Sequence, residues 1–128
     1  MQTININQEF TLAIKKSKFL AFAFKVNNEA EVAQSLANLK KEHSKARHIV
    51  YAYRILDAGQ IKERVHNDGE PNKSAGWPIY NLLKMQDIVG CLIVVVRYYG
   101  GIKLGVGGLV RAYTESAQAV IKDNLNNV

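Results

Sequence analysis

Residues 91–110 read CLIVVVRYYGGIKLGVGGLV, and their pattern gives the strongest indication of how the chain folds. Its first part, CLIVVV, is a continuous apolar run of the kind that forms a strand covered on both faces. We therefore expect this strand near the centre of a sheet. A glycine-rich loop follows it, and apolar side chains at helical spacing predict a last helix that starts near Gly107 or Gly108. A buried strand, a loop and a helix N-terminus thus follow one another directly.

The segments before this stretch alternate strand pairs with helices. FTLAIKKSKFLAFAFKV divides around the polar KKSK into two antiparallel strands. Asn27 and Asn28 then offer an N-cap, and Glu31 completes a capping box for a helix that runs to about His43. RHIVYAYRIL and QIKERVH, separated by Asp-Ala-Gly, predict a hairpin.

The polar stretch NDGEPNKSAGWP is too dense in turn-forming residues to be regular structure. Ser74 is predicted to cap a short helix after it, which tolerates Pro78 in its first turn. Strand pairs alternating with helices predict a two-layer α+β sandwich. The length of 128 residues is that of one compact domain, so we treat residues 1–128 as a single domain.

The composition is that of a soluble globular protein with a basic charge balance. Seventeen Lys and Arg against eleven Asp and Glu give a formal net charge of +6, which favours anionic partners such as RNA, DNA or phosphate ligands. Many soluble domains are mildly basic without binding an anion, and these cations are spread along the chain, so the charge raises that expectation only modestly. No apolar run approaches the length of a membrane span and the N-terminus does not resemble a secretory signal, so we expect a cytoplasmic protein. Cys91, the one cysteine, is expected to be a small buried hydrophobe.

The glycine-rich loop has the arrangement of an anion site. N–H groups in the first turn of a helix have no intrahelical partner, and the helix dipole places partial positive charge there. The P-loop and Rossmann fingerprints are excluded, because Val106 follows Gly105 where a lysine is needed and Val110 stands at the last glycine position of GxGxxG. An equally weighted alternative is that the glycines serve only positive φ angles and close packing. The predicted residues for binding an anion or a nucleic acid are Arg97, Gly100, Gly101, Lys103, Gly105, Gly107, Gly108 and Arg111.

The polar loop carries a second set of candidate residues. Asp68 and Glu70 are neighbouring carboxylates, and histidines such as His66 are proton carriers or metal ligands by type. Asp-Gly-Glu-Pro is also ordinary turn chemistry, and no HExxH, GxSxG or clustered ligand pattern occurs. We therefore assign no catalytic residue, no metal and no cofactor. The residues of this second motif are His48, Asp68, Gly69, Glu70, Pro71 and Ser74.

Three separated motifs, ARHIVYAYR, NDGEPNKSAGWPI and VVRYYGGIKLGVGGLVRAYTESA, stand in an order that resembles the YigZ/IMPACT family. The resemblance runs from about KKSKF to the last helix and corresponds to the N-terminal domain of that family. It implies the fold of the second domain of ribosomal protein S-five, with a mixed sheet of about four to five strands and helices on one face. It also implies that the two loops meet on one surface. Eukaryotic members act in translational control and several proteins of this fold contact RNA, whereas bacterial members have no settled activity.

The sequence departs from the family pattern in the polar loop and at its end. Asn67 and Trp77 stand where the family usually has aspartate and arginine, and Lys73 stands where a glycine is common. These changes weaken the case for a paired-aspartate metal site or a cationic cleft. Bacterial members usually continue into a ferredoxin-like C-terminal domain, which we expect to be missing from this sequence.

Three functional hypotheses follow. The leading one is a non-catalytic module linked to translation or RNA, in which Lys103 contacts phosphate and the partners are RNA or ribosome-associated factors. The second is an enzyme acting on a small phosphorylated or peptide substrate, with Glu70 or Asp68 as the base. The third is a protein-interaction domain in the translational stress response that uses exposed apolar residues such as Trp77 and Tyr80. The sequence does not indicate an oligomeric state.

Overall fold

A computed structural model describes residues 1–128 as seven strands and three helices. In chain order these are β1 (Gln2–Ile4), β2 (Gln8–Ile14), β3 (Ser17–Lys25), α1 (Glu29–Glu42), β4 (His48–Asp57), β5 (Gln60–His66), α2 (Gly76–Met85), β6 (Cys91–Tyr98), α3 (Gly105–Ile121) and β7 (Leu125–Asn127). Helix α1 begins as predicted, because the Asn28 side chain accepts a hydrogen bond from the Glu31 N–H at 2.9 Å. The Glu31 carboxylate in turn accepts from the Asn27 N–H at 2.6 Å.

Five strands form the main sheet in the order β2-β3-β6-β4-β5, with β6 in the middle. The α+β class and the central position of CLIVVV are therefore confirmed. Every ladder of this sheet is antiparallel, so the expected mixed sheet is not found. Both predicted hairpins join neighbouring strands through two-residue turns, which only antiparallel pairs allow. A parallel contact occurs only outside the sheet, as a bridge between Gln2 and Ile88.

The helices cover both faces of the sheet, which corrects the expectation of helices on one face. Successive side chains of a strand point to opposite faces. The odd-numbered residues of 91–95 pack with α2 and α3, whereas the even-numbered residues of 92–96 pack with α1. Both sets are fully buried. A strand without polar alternation needs cover on each side, so the central position of β6 itself requires α1 on the opposite face.

Two helices start differently from the prediction. The N-cap of α2 is Ala75, with no side-chain cap. The Ser74 hydroxyl instead donates to the Pro71 carbonyl oxygen at 2.6 Å, so capping by Ser74 is wrong. Helix α3 begins at Gly105, earlier than predicted, because this glycine adopts a φ of +75° that turns the chain into the helix. None of the three helices combines the length and apolarity needed to cross a bilayer.

A second, two-stranded sheet pairs the two ends of the chain. Gln2 lies opposite Asn127 and Ile4 lies opposite Leu125 in the β1–β7 ladder. Each strand has three residues, which is too short to show an alternating pattern, so the sequence did not predict them. Ile4 is fully buried in the core formed with α2 and α3, so this small sheet belongs to the folded body.

Candidate functional site

The polar loop and the glycine-rich loop line one cavity of about 390 Å³. The cavity lies at the end of the sheet where β6 finishes and β4 begins, since His48 is paired with Arg97 between these strands. The lining residues from the two loops are Gly69, Glu70, Pro71, Lys103 and Leu104, and the first turn of α3 adds Gly105 and Val106. In the sequence, α2 and β6 lie between the polar loop and the glycine-rich loop. In the fold, the two loops meet at the end of β6.

A buried carboxylate, that of Glu70, lies in the wall of this cavity, with its side chain only 2% exposed. The Arg97 Nη1 donates to both oxygens of this carboxylate, at 3.0 and 2.9 Å. The Tyr113 hydroxyl also donates to Glu70 Oε2, and His48 Nε2 lies 3.3 Å from Oε1. These groups compensate the negative charge of Glu70 inside the protein, which is what a buried charge requires.

Arg97 is itself buried, so its role differs from that of a surface cation. Its guanidinium carbon lies 5.3 Å from the ring centroids of both Phe19 and Tyr99, and Nη2 donates to Ser17 Oγ at 3.3 Å. Its Nε is buried without a hydrogen-bond partner. Arg97 therefore holds Glu70 in place from inside the protein, while its side chain also forms part of the cavity wall.

The phenol of Tyr113 is held in its protonated form. Burial raises the pKa of Tyr113 well above its ordinary value, and the negative charge of Glu70 beside it raises the pKa further. The hydroxyl therefore keeps its proton throughout the physiological range and can act as a permanent donor to Glu70. Helix α3 thus supplies one wall of the cluster from its third turn.

The polar loop is fixed by hydrogen bonds of its own side chains. Asp68 Oδ2 accepts from the Ile49 N–H at 2.6 Å, and His48 Nδ1 lies 2.6 Å from the Asp68 carbonyl oxygen. Asn67 Nδ2 donates to the carbonyl oxygen of Glu70 at 2.5 Å, while Asn67 Oδ1 accepts from the Gly76 N–H at 2.9 Å. An ionised aspartate at position 67 would have no N–H to donate, so the bridge across the loop requires the amide of Asn67.

The glycine-rich loop packs directly against the turn between β2 and β3. A Cβ on Gly100 would lie 2.0 Å from the carbonyl oxygen of Lys16, so a glycine is required there by space. Gly101, with a φ of +89°, faces open space and is required by its backbone conformation instead. Ser17 Oγ lies within reach of the Gly100 N–H at 3.4 Å. These contacts explain two of the glycines as structural requirements.

The N-terminus of α3 opens on the cavity without an acidic partner. Leu104, the N-cap residue, makes no side-chain capping bond, and the first turn of α3 contains no Asp or Glu. Gly105 and Val106 at this end line the cavity together with the exposed Lys103. The partial positive charge of the helix end therefore adds to a full positive charge on the same side of the cavity. No cluster of His, Cys, Asp and Glu is arranged to hold a metal ion.

The comparison with known proteins agrees with the three sequence motifs. Residues 15–121 match the Impact N-terminal domain. The chain belongs to the IMPACT family. The IMPACT family member YvyE of Bacillus subtilis (strain 168) is 36% identical over 126 residues, which is 98% of this chain and 56% of YvyE. The IMPACT family member YigZ of Escherichia coli (strain K12) is 36% identical over 102 residues, which is 78% of this chain and 50% of YigZ.

The fold of this IMPACT family chain is also that of a solved relative. A crystal structure of a hypothetical protein superposes with a TM-score of 0.84 at 29% identity, over 98% of this chain and 63% of that chain. The chain spans about half the length of the bacterial relatives that it matches in sequence. The match therefore identifies the N-terminal half of those relatives.

In this IMPACT family domain the cavity gathers one part of the predicted residues. Those that line it are His48, Gly69, Glu70, Pro71, Arg97, Lys103 and Gly105. Those that do not are Asp68, Ser74, Gly100, Gly101, Gly107, Gly108 and Arg111. Sequence reasoning missed Arg47 and Tyr99, which line the cavity with the Arg47 guanidinium 5.3 Å from the Tyr99 ring centroid. Both residues could have been found from their neighbours in the sequence, because Arg47 directly precedes His48 and Tyr99 directly precedes the first glycine of the loop.

Proposed function

We propose that this IMPACT family domain is a non-catalytic binding module in translational control that holds a phosphate group of RNA in the cavity between its two loops. The observation that carries this proposal is the charge balance of the cavity. Its one buried carboxylate is already compensated by Arg97, Tyr113 and His48. Lys103, Arg47 and the uncapped N-terminus of α3 have no carboxylate partner. The uncompensated charge at the cavity is therefore positive, which suits a phosphate.

The engagement of the two carboxylates favours binding over catalysis. A general base must be within reach of a substrate proton and free to accept it. Both oxygens of Glu70 accept from Arg97, and Asp68 Oδ2 accepts from the Ile49 N–H. A reaction that used either carboxylate as its base would have to break these contacts, so we place them in the support of the site.

Family membership supports the link to translation. The relatives include proteins named IMPACT homologues in Saccharomyces cerevisiae and Schizosaccharomyces pombe, at 28% and 31% identity. The resemblance seen in the sequence implies translational control for the eukaryotic members, and we extend that role to this chain. RNA or ribosome-associated factors are the proposed partners, and the cytoplasm is the proposed location.

The proposal is tested by RNA affinity as a function of salt. We expect Lys103→Ala to weaken binding of a single-stranded oligouridine and to reduce the slope of log K against log salt by about 0.7 to 1. Lys122→Ala is the matched control, because Lys122 caps the opposite end of α3, about 25 Å away by helix rise. Fluorescence anisotropy measures both quantities when the salt concentration is varied over roughly 50 to 300 mM, which changes the gain from counterion release. An affinity insensitive to salt, or equal effects of the two variants, would refute the phosphate site.

A second candidate function is protein interaction, which one groove favours. Trp77 is 40% exposed and Met85 is 85% exposed on α2, and both line a groove of about 510 Å³ between α2 and α3. Tyr80, which we expected to be exposed, is buried and packs edge-on against Trp77. Co-sedimentation with ribosomes separates the two candidates. Loss of retention in Trp77→Ala but not in Lys103→Ala would favour protein contact, and the reverse result would favour RNA.

A further inference from the structure

The turn between β2 and β3 has an unexpected sequence for its conformation. Lys15 and Lys16 occupy both central positions, since Ile14 is paired with Ser17 directly across the turn. Their φ angles are +47° and +66°, in the left-handed region. Two-residue hairpin turns of this kind favour Asn-Gly, because side chains with a Cβ are disfavoured at positive φ. The other hairpin of the sheet follows this rule in part, with Ala58 and Gly59 at the same two positions.

The same turn is held against the glycine-rich loop. Gly100 packs on the backbone of Lys16 closely enough to exclude a Cβ. Ser17, at the end of the turn, accepts hydrogen bonds from the Gly100 N–H and from Arg97. The turn therefore has a defined position next to the cavity. Arg97 connects the two, because it lines the cavity and donates a hydrogen bond to Ser17.

The charges of the turn are unpaired and exposed. Lys15 and Lys16 are both solvent-exposed, and neither makes an ion pair with any Asp or Glu of the chain. The same holds for Lys103 and Arg47 at the cavity. The fold thus gathers at one end of the sheet four cations from three separate segments of the sequence.

We propose that the Lys15–Lys16 turn is a second phosphate-binding element, which extends the cavity into a basic track for the backbone of an RNA strand. One phosphate lies at Lys103 and the N-terminus of α3, and neighbouring phosphates lie at the turn. Two lysines at positive φ weaken the turn, and strained backbone that persists is characteristic of functional sites. A polyanion binds more tightly when cations are spaced along its path, because each neutralised phosphate releases counterions. This inference rests on the proposed RNA-binding function.

The decisive variant is Lys15→Asn combined with Lys16→Gly, which removes both charges and supplies the preferred turn sequence. We expect its midpoint of thermal unfolding to rise and its affinity for a single-stranded oligouridine to fall on the order of tenfold at low salt, with the salt slope reduced by about 1.4. Lys15→Gln combined with Lys16→Gln should lose the same affinity without gaining stability, because the turn keeps its disfavoured conformation.

Two controls isolate the site from general effects. Ala58→Asn improves the turn of the other hairpin without changing charge, so it should leave RNA affinity unchanged. Lys84→Gln combined with Lys122→Gln removes the same net charge near the opposite end of the sheet, so it should weaken binding much less. A turn variant that binds RNA as the unaltered protein does, while Lys103→Ala is weakened, would overturn this inference and leave the proposed function standing. If neither variant differs from the control, the proposed function fails as well.

Discussion

At Glu70, a single carboxylate buried beside the cavity determines how the surrounding residues are arranged. Arg97 approaches from the central strand, Tyr113 from helix α3 and His48 from the start of β4. A buried ion pair contributes little net stability when complete, but it becomes costly when one partner is removed. Glu70 and Arg97 therefore act as a unit, and the chemistry of the cavity depends on both being present.

The first prediction at this scale concerns that pair. We expect Arg97→Met to lower the free energy of unfolding by about 3 to 5 kcal/mol, because Glu70 then remains buried without its principal partner. Glu70→Gln should be similarly destabilising, since Arg97 loses its counter-charge. The double variant should be less destabilised than the sum of the two, which urea denaturation of all four proteins measures as a coupling energy. Additive losses would show that the two side chains do not act as a pair.

At the scale of elements, the glycine-rich loop works as a spacer between the sheet and helix α3. Two of its glycines are required for different reasons. At Gly100 there is no space for a Cβ, and at Gly101 the backbone has a positive φ. The loop is consequently held by the β2–β3 turn on one side and leads into the uncapped end of α3 on the other. Its position relative to the cavity is set by packing, not by an intrinsic preference of the loop.

The two glycines give a matched pair of substitutions. Gly100→Ala places a methyl group 2.0 Å from a backbone oxygen, which requires the turn to move, so we expect a loss of about 3 kcal/mol. Gly101→Ala meets no atom within 4 Å and should cost only about 1 to 2 kcal/mol, from its left-handed conformation. Chemical denaturation compares the two. Equal losses would mean that the close approach of the turn is not maintained in solution.

At the scale of the whole molecule, buried acidic protons link stability to alkaline pH. Cys91 is fully buried in the core, as the sequence predicts, and burial raises the pKa of its thiol to about 12. The pKa of the Tyr113 phenol is also raised, by burial and by the neighbouring charge of Glu70. In the unfolded chain the two groups have their ordinary pKa values, which are 9.0 for the thiol and 10.0 for the phenol. The unfolded state thus binds fewer protons over this range, and its population rises with pH.

We therefore expect the free energy of unfolding to be unaffected by Cys91 below pH 9.0 and to fall as the pH rises towards about 12. The contribution of this thiol approaches about 1.4 kcal/mol per pH unit once the unfolded thiol is ionised. Cys91→Ala should flatten this alkaline decline, and Tyr113→Phe should flatten it above pH 10.0. Urea denaturation at a series of pH values measures the slopes. A decline of the same steepness in Cys91→Ala would contradict the assignment.

Features of the fold that have a local cause could be predicted from the sequence alone. The apolar run of β6, the capping box at Asn28 and the Asp-Ala-Gly turn of the β4–β5 hairpin act over a few residues, so their patterns could be predicted directly. The three motifs likewise identified the family. The residues at the cavity were named in part for the same reason, because the glycine-rich loop and NDGEP are distinctive stretches.

Which of these stretches meet, and on which face of the sheet, depends on the tertiary structure. Arg97 finds Glu70 across 27 positions of sequence, and α1 lies opposite α2 and α3 because both faces of β6 need cover. The turn that carries Lys15 and Lys16 packs against the glycine-rich loop because β3 pairs with β6. Burial, charge compensation and the gathering of exposed cations depend on contacts between distant segments. Those contacts are set by packing of the whole sheet, and no local pattern of residues specifies them.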